Sequence, residues 1–267
     1  MMKEPWVGNC PPFRMRGNLY FVGTEPASTH IIDTGEGLIM LDSGYQQSLY
    51  LVIHHMHTMG LNPMDLKYIL HTHGHIDHFG GTRALVELTG AKTVIGRADR
   101  DYANGKLDLS YAVELNMEYT ETFEPDILLD DGDTLTLGNT TITAMATPGH
   151  TPGAMSYFFD VEEDGEVSRV GLHGGMGINT MCREFLDKYN LSYDCREQFQ
   201  KAMDRLAEEK VDIFLGNHMQ HNDTAGKYRK IMAGDKRACI NPDEWAPYCR
   251  WAKQNLLNMI AKENAEV

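Results

Sequence analysis

The segment LHTHGHIDHFGG, residues 70–81, brings His71, His73, His75, Asp77 and His78 together in one short stretch. Imidazole nitrogen and carboxylate oxygen, with no thiolate beside them, are the donors that zinc accepts. Histidines at alternate positions of an extended segment point the same way, so His73 and His75 can share one metal. The turn into the next helix swings Asp77 and His78 toward a second metal, and Gly80-Gly81 allows the backbone to turn tightly there. His71, taken alone, reads as structural.

A catalytic zinc usually has three protein ligands and a water, so a two-metal site needs further donors from elsewhere in the chain. TPGHTPG offers His150 and FLGNH offers His218, each just after an apolar strand pattern; His221 competes with His218 for that role. Two divalent ions about 3.5–4 Å apart can share a hydroxide, because metal-bound water has a pKa near 7. No serine or cysteine nucleophile is then required, and neither Ser43 nor Ser156 sits in a G-x-S-x-G elbow.

These donors need strands that end together. Period-two apolar runs predict strands near Leu19–Val22, His30–Ile32 and Leu38–Asp42, with GTEPAS and DTGEG as turns, so the chain opens as a meander. A helix over Ser48–Met59 is closed by Gly60 and Asn62-Pro63, the run LKYIL enters the histidine cluster as a buried strand, and a second helix covers Thr82–Thr89. Further strands are predicted at Thr93–Ile95, Ile127–Leu129, Thr134–Leu137, Thr141–Ala146, Ala154–Asp160 and Val167–Leu172, with DIFLG between helices at Cys195–Lys210 and Trp245–Ala261. The repeated grammar implies an α/β fold of two sheets face to face with helices outside. No low-complexity linker divides residues 1–267, which read as a single domain. The least regular stretch, Arg97 to Asp126, suits either a flank of the site or a surface excursion.

The balance of 24 basic and 38 acidic residues gives a net charge of −14, which disfavours a grip on nucleic acid phosphate or on an anionic membrane. No apolar run approaches the roughly 20 residues that span a bilayer. The N-terminal stretch shows no apolar core of about 7 to 15 residues typical of a secretory signal, so the expected location is cytoplasmic, or periplasmic or secreted if a signal was removed. Five cysteines without CxxC spacing suggest neither a disulfide framework nor a thiolate zinc site.

HGHIDH with the later TPGHTPG and FLGNH resembles the metallo-β-lactamase fold superfamily. PPFRMRGNLYFVGTEPASTHIIDTGEGLIMLDSGYQQS and GNTTITAMATPGHTPGAMSY resemble its zinc-dependent class B β-lactamases of subclass three, and the likeness runs from about Pro11 to Lys262. The resemblance implies an αββα sandwich with two Zn2+ ions: His73, His75 and His150 on the first, Asp77, His78 and His218 on the second. It further implies that hydroxide attacks a strained amide or related acyl carbonyl, with Asp77 as the catalytic carboxylate that orients it. The iron-containing redox branch usually has glutamate where His75 stands, and the nuclease branch usually carries a large inserted domain.

Two departures stand out. Related thioester, lactone and phosphodiester hydrolases have a metal-bridging aspartate after the strand near Val170–Leu172, where this chain reads HGGMGIN. The β-lactamase subclass usually has Asp-Ser and further hydroxyls there to hold the substrate carboxylate, whereas Gly174, Gly175 and Gly177 occupy this segment; Asn179, Thr180 or Arg183 are the candidate replacements. The subclass also pairs a cysteine before its late strand with one in the C-terminal helix; Cys249 fits the second, but Val211 occupies the first position. The expectation is a dizinc hydrolase that opens β-lactams, acting on a small-molecule acyl substrate. Its alternatives are a lactone or thioester hydrolase with an intracellular, non-antibiotic substrate, and a non-catalytic metal-binding protein.

Overall fold

The computed structural model describes residues 4–266. Seven strands form the first sheet in sequence order: β1 (Phe13–Arg16), β2 (Leu19–Phe21), β3 (His30–Asp33), β4 (Leu38–Leu41), β5 (Leu66–Leu70), β6 (Lys92–Gly96) and β7 (Ile127–Leu129). β1 to β4 pair antiparallel, and β4 to β7 run parallel. Parallel neighbours need crossovers, supplied by α1 (Leu49–Thr58) after β4 and by the short α2 (Ile76–Phe79) and α3 (Thr82–Thr89) after β5. After β6, α4 (Arg100–Ala103) leads into a mostly irregular segment that returns at β7.

The second sheet has the order β12-β11-β10-β9-β8, from β8 (Thr134–Leu137), β9 (Thr140–Ala146), β10 (Met155–Glu163), β11 (Glu166–Leu172) and β12 (Ile213–Leu215). Only β11 and β12 are parallel, joined through α5 (Arg183–Lys188) and α6 (Asp194–Glu208). α7 (Thr224–Met232) and the long α8 (Trp245–Ala265) complete the chain.

Side-chain alternation explains why the two sheets stack. In β4, Ile39 and Leu41 face the inter-sheet core while Leu38 and Met40 pack under α1 and α3, so the strand is buried on both faces. In β10, Met155, Tyr157, Phe159 and Val161 enter the same inter-sheet core, and Phe158 turns to the other side against Phe199 of α6 and Trp245 of α8. Burying a side chain such as Phe159 contributes about 1.5–3 kcal/mol, so the sandwich is held chiefly between its sheets.

The αββα sandwich is the architecture the sequence implies. The reading misses β1, α2, α4, α5 and α7 and ends several elements early, most of all β10, which extends to Glu163, and α8, which extends to Ala265. β1 alternates poorly because Arg16 is buried rather than exposed, held by Glu163 and Glu166 from the other sheet. No helix among the described residues is long and apolar enough to cross a membrane.

Candidate metal centre

The site lies at one edge of the sandwich, where several strands deliver their carboxyl ends. The loop after β5 carries His71 to His78, β4 ends at Asp42, the loop after β9 carries His150, and β12 leads into Asn217 and His218. The residues between β5 and α2 are bent, not the extended run that simple alternation would require. His73 and His75 nevertheless converge, with ring centroids 4.7 Å apart, and each lies within 4.7 Å of the His150 ring.

Donor atoms of His73, His75 and His150 all lie within 4.8 Å of one another, as do those of His73, Asp77 and His78. His218 lies beside the second of these groups: its Nε2 is 3.6 Å from Asp77 Oδ2, and the His78 Nε2 is 3.1 Å from that same oxygen. His221 lines the same cavity beside it, its ring centroid 5.0 Å from that of His218.

Hydrogen bonds on the far side of four of these rings set which nitrogen is available. His78 Nδ1 donates to Asp42 Oδ2 at 2.8 Å, His150 Nδ1 to the Gly177 carbonyl at 2.7 Å, and His218 Nδ1 to the Pro26 carbonyl at 2.6 Å. The Thr72 hydroxyl donates to Asp42 and so accepts from His73 Nδ1 at 3.0 Å. In each neutral ring Nε2 is left with a lone pair turned to the cluster, the arrangement that outer carboxylates and carbonyls impose on metal-binding histidines. His73 Nε2 is buried without a hydrogen-bond partner. A metal cation would satisfy that atom, and the donor set of imidazoles and one carboxylate fits a dinuclear site for divalent ions.

The charge balance agrees. Burial opposes ionisation of Asp77, but neighbouring His78 outweighs it and holds the carboxyl far below its usual range. Burial likewise opposes charge on His78, yet Asp77 and Asp42 raise its pKa to about 10. A positive charge therefore belongs between these two carboxylates, and without metal a proton on His78 provides it. His73 is held neutral by burial and by the adjacent His78.

Sequence reasoning missed the residues that brace this cluster. Asp42 is buried in the left-handed region, φ 56°, a conformation that an aspartate adopts at some cost. It accepts the Thr72 amide and hydroxyl as well as His78, so it locks the start of the histidine loop to β4. Asp99, three residues after β6, accepts from the Gly74 amide, the Gly153 amide and the Thr151 hydroxyl at 2.6–2.7 Å, tying the loop after β5 to the loop after β9. Asp42 closes one predicted apolar strand and Asp99 stands four residues beyond another, the only sequence signal for either. His71 is structural: Nδ1 donates to Val94 and Nε2 accepts from Thr82.

The three proposed substrate contacts separate. Asn179 lines the metal-site cavity of about 350 Å3. Thr180 is buried with its hydroxyl on the His150 carbonyl, so it holds the loop that carries His150. Arg183 lies on neither cavity wall; its backbone amide and guanidinium are both tied to Glu263 of α8, because the α5 start is clamped there. The Arg97–Asp126 stretch does flank the site, placing Tyr111 and Leu115 on the cavity wall. Beside it, sharing only His75 and His150, lies a largely apolar cavity of about 250 Å3 walled by Leu109, Phe185, Leu186 and Leu191.

An αββα sandwich with convergent His/Asp clusters at its sheet edge defines a metal-centred protein. A family model of the metallo-beta-lactamase superfamily matches residues 22–163, and the chain belongs to that superfamily. It is similar over its whole length to the crystal structure of BJP-1, a subclass B3 metallo-beta-lactamase of Bradyrhizobium japonicum, with a TM-score of 0.90, 27% identity, and coverage of 100% of this chain and 99% of that one. A probable metallo-hydrolase of Burkholderia pseudomallei (strain 1710b) is 39% identical over 92 residues, 34% of this chain and 31% of that protein. A hydroxyacylglutathione hydrolase of Maricaulis maris (strain MCS10) is 34% identical over 97 residues, 36% of this chain and 30% of that protein. The matches span only about a third of the length of these two curated relatives.

Proposed function

We propose that the protein is a dizinc hydrolase that opens a β-lactam amide. The observation that carries this reading is the pair of overlapping triads, His73/His75/His150 and His73/Asp77/His78, on one solvent-open cavity. His73, His75 and His150 would hold the first zinc, and Asp77, His78 and His218 the second. When bound, the two ions supply an acidified water and Lewis-acid polarisation of a carbonyl.

The chain's own residues prepare the rest. Against the cost of burial, the histidines around Asp77, His78 first, hold its carboxyl well below the usual range, so an ionised Asp77 can orient the attacking water. Burial of the histidine wall excludes bulk water from one side of the reacting centre, which strengthens the local field. Asp77 is the sole carboxylate on the wall of the metal-site cavity among the described residues. The lack of a second carboxylate on that wall among the described residues favours the β-lactam reading over lactone or thioester hydrolysis.

The adjoining apolar cavity supports a substrate with an apolar arm next to its acyl group. The test is turnover of a penicillin, a cephalosporin, a carbapenem, an acyl lactone and a thioester by zinc-loaded protein, with Asp77→Ala as the control. β-Lactam turnover, lost at least 100-fold in the variant, is the expected result. Lactone or thioester turnover without β-lactam cleavage sinks the substrate assignment, and no metal-dependent turnover of any of them sinks the hydrolase reading.

A further inference from the structure

His221 and His173 form a hydrogen-bonded pair that the metal cluster does not use. His173, fully buried where β11 ends, stands 3.2 Å through its Nε2 from His221 Nδ1. The Gly175 amide points at His173 Nδ1, also at 3.2 Å. An amide N–H can only donate, so His173 Nδ1 is an acceptor, and a neutral imidazole then carries its proton on Nε2. That proton goes to His221 Nδ1, which makes His221 in turn an acceptor at Nδ1 and a donor at Nε2.

This is the reverse of the metal-site histidines. In His73, His78, His150 and His218 the Nδ1 donates outward and leaves a lone pair on Nε2. In His221 the Nε2 carries hydrogen, which excludes it from binding a cation, and it has no protein partner among the described residues. His221 lines the metal-site cavity, and His173 lies behind it. Tyr248 packs against both rings, and Gly216 admits the pair, since a Cβ there would lie 2.8 Å from His221 Cβ.

The cavity wall holds no lysine or arginine among the described residues. Nor can a serine hydroxyl be placed at position 175: a Cβ there would meet His150 Cδ2 at 2.5 Å. We propose that His221 is a substrate-binding residue whose Nε2–H donates to an acceptor oxygen of the acyl substrate, with Gly175 and His173 as the positioning groups that set its tautomer. The assignment to an acyl substrate rests on the hydrolase reading above. The tautomer and the donor role do not.

Two readouts test it on the zinc-loaded full chain. Long-range nitrogen–proton NMR of histidine-labelled protein is expected to show both His173 and His221 protonated at Nε2 only, and added acetate to shift the His221 Nε2 resonance. A proton on His221 Nδ1, direct coupling of its ring to cadmium in the cadmium-substituted protein, or no response to acetate overturns the proposal. With whichever substrate is turned over, His221→Phe is expected to raise KM about tenfold at unchanged zinc content, while His221→Gln, which keeps an N–H donor, recovers most of it. Equal KM in the Phe and Gln variants, at any level, contradicts a donor role. If no substrate is turned over, the hydrolase reading fails alone and the NMR result still decides the inference.

Discussion

Asp42 Oδ2 accepts a hydrogen bond from His78 Nδ1 at 2.8 Å, from a backbone position with φ 56° at the end of β4. One carboxylate therefore orients a metal-site imidazole, neutralises its charge, and fastens the Thr72 amide of the same loop. Removing such an outer partner typically costs 10–100-fold in metal affinity. Asp42→Ala is expected to weaken metal binding at the proposed second position by about that factor, read by chelator competition. Unchanged affinity would show that His78 needs no brace.

Asp99 gathers three donors from two ligand loops in a fully buried position. Truncation orphans them, and each unsatisfied buried group costs about 1–3 kcal/mol. Asp99→Ala is expected to lower unfolding stability in urea by at least 3 kcal/mol, and Asp99→Asn by less because one acceptor oxygen remains. A loss below 1 kcal/mol for the alanine variant would mean that the loops are held elsewhere.

Gly175 has φ 122°, a conformation closed to other residues, and His150 stands where its Cβ would be. Gly175→Ser, which puts a hydroxyl into the segment where the resembled subclass usually has them, is therefore expected to displace His150 and lower zinc content toward one ion. Tighter binding of a carboxylate-bearing β-lactam by this variant would contradict the geometry.

His30 and His71 are buried and lie outside the metal cluster, and burial pushes each pKa down to about 4. Between about pH 6.5 and 4 the unfolded chain binds protons that the folded chain refuses, so stability rises with pH across that window. Their contribution is complete above pH 6.5 and lost as pH falls, roughly 3 kcal/mol for each if taken alone. Replacing His30, whose Nε2 is buried and unpaired, by Leu is expected to flatten the pH dependence of urea unfolding in the metal-free protein. An identical slope in wild type and variant would exclude this source.

The same chain shows where reading by sequence succeeds. α3 and the strands β7 and β8 have the bounds that periodicity predicts, because apolar alternation and Gly or Asp punctuation are local facts. β1 escaped because a buried arginine breaks its pattern, and that arginine is acceptable only with two glutamates from a distant hairpin beside it. α2 is too short for any period to register.

The candidate donors divide in the same way. His73, His75, Asp77 and His78 are legible in sequence because one short loop holds all four, and His150 and His218 because each follows an apolar strand. Thr180 and Arg183 have the right chemistry for substrate, but only tertiary packing sends the first to the His150 backbone and the second to Glu263. Residue type and spacing determine which atoms can bind a metal. Which nitrogen of each ring carries the proton, and so whether a histidine faces the site as an acceptor or a donor, depends on partners such as Asp42, Gly177 and His173 that only the folded chain brings within hydrogen-bonding distance.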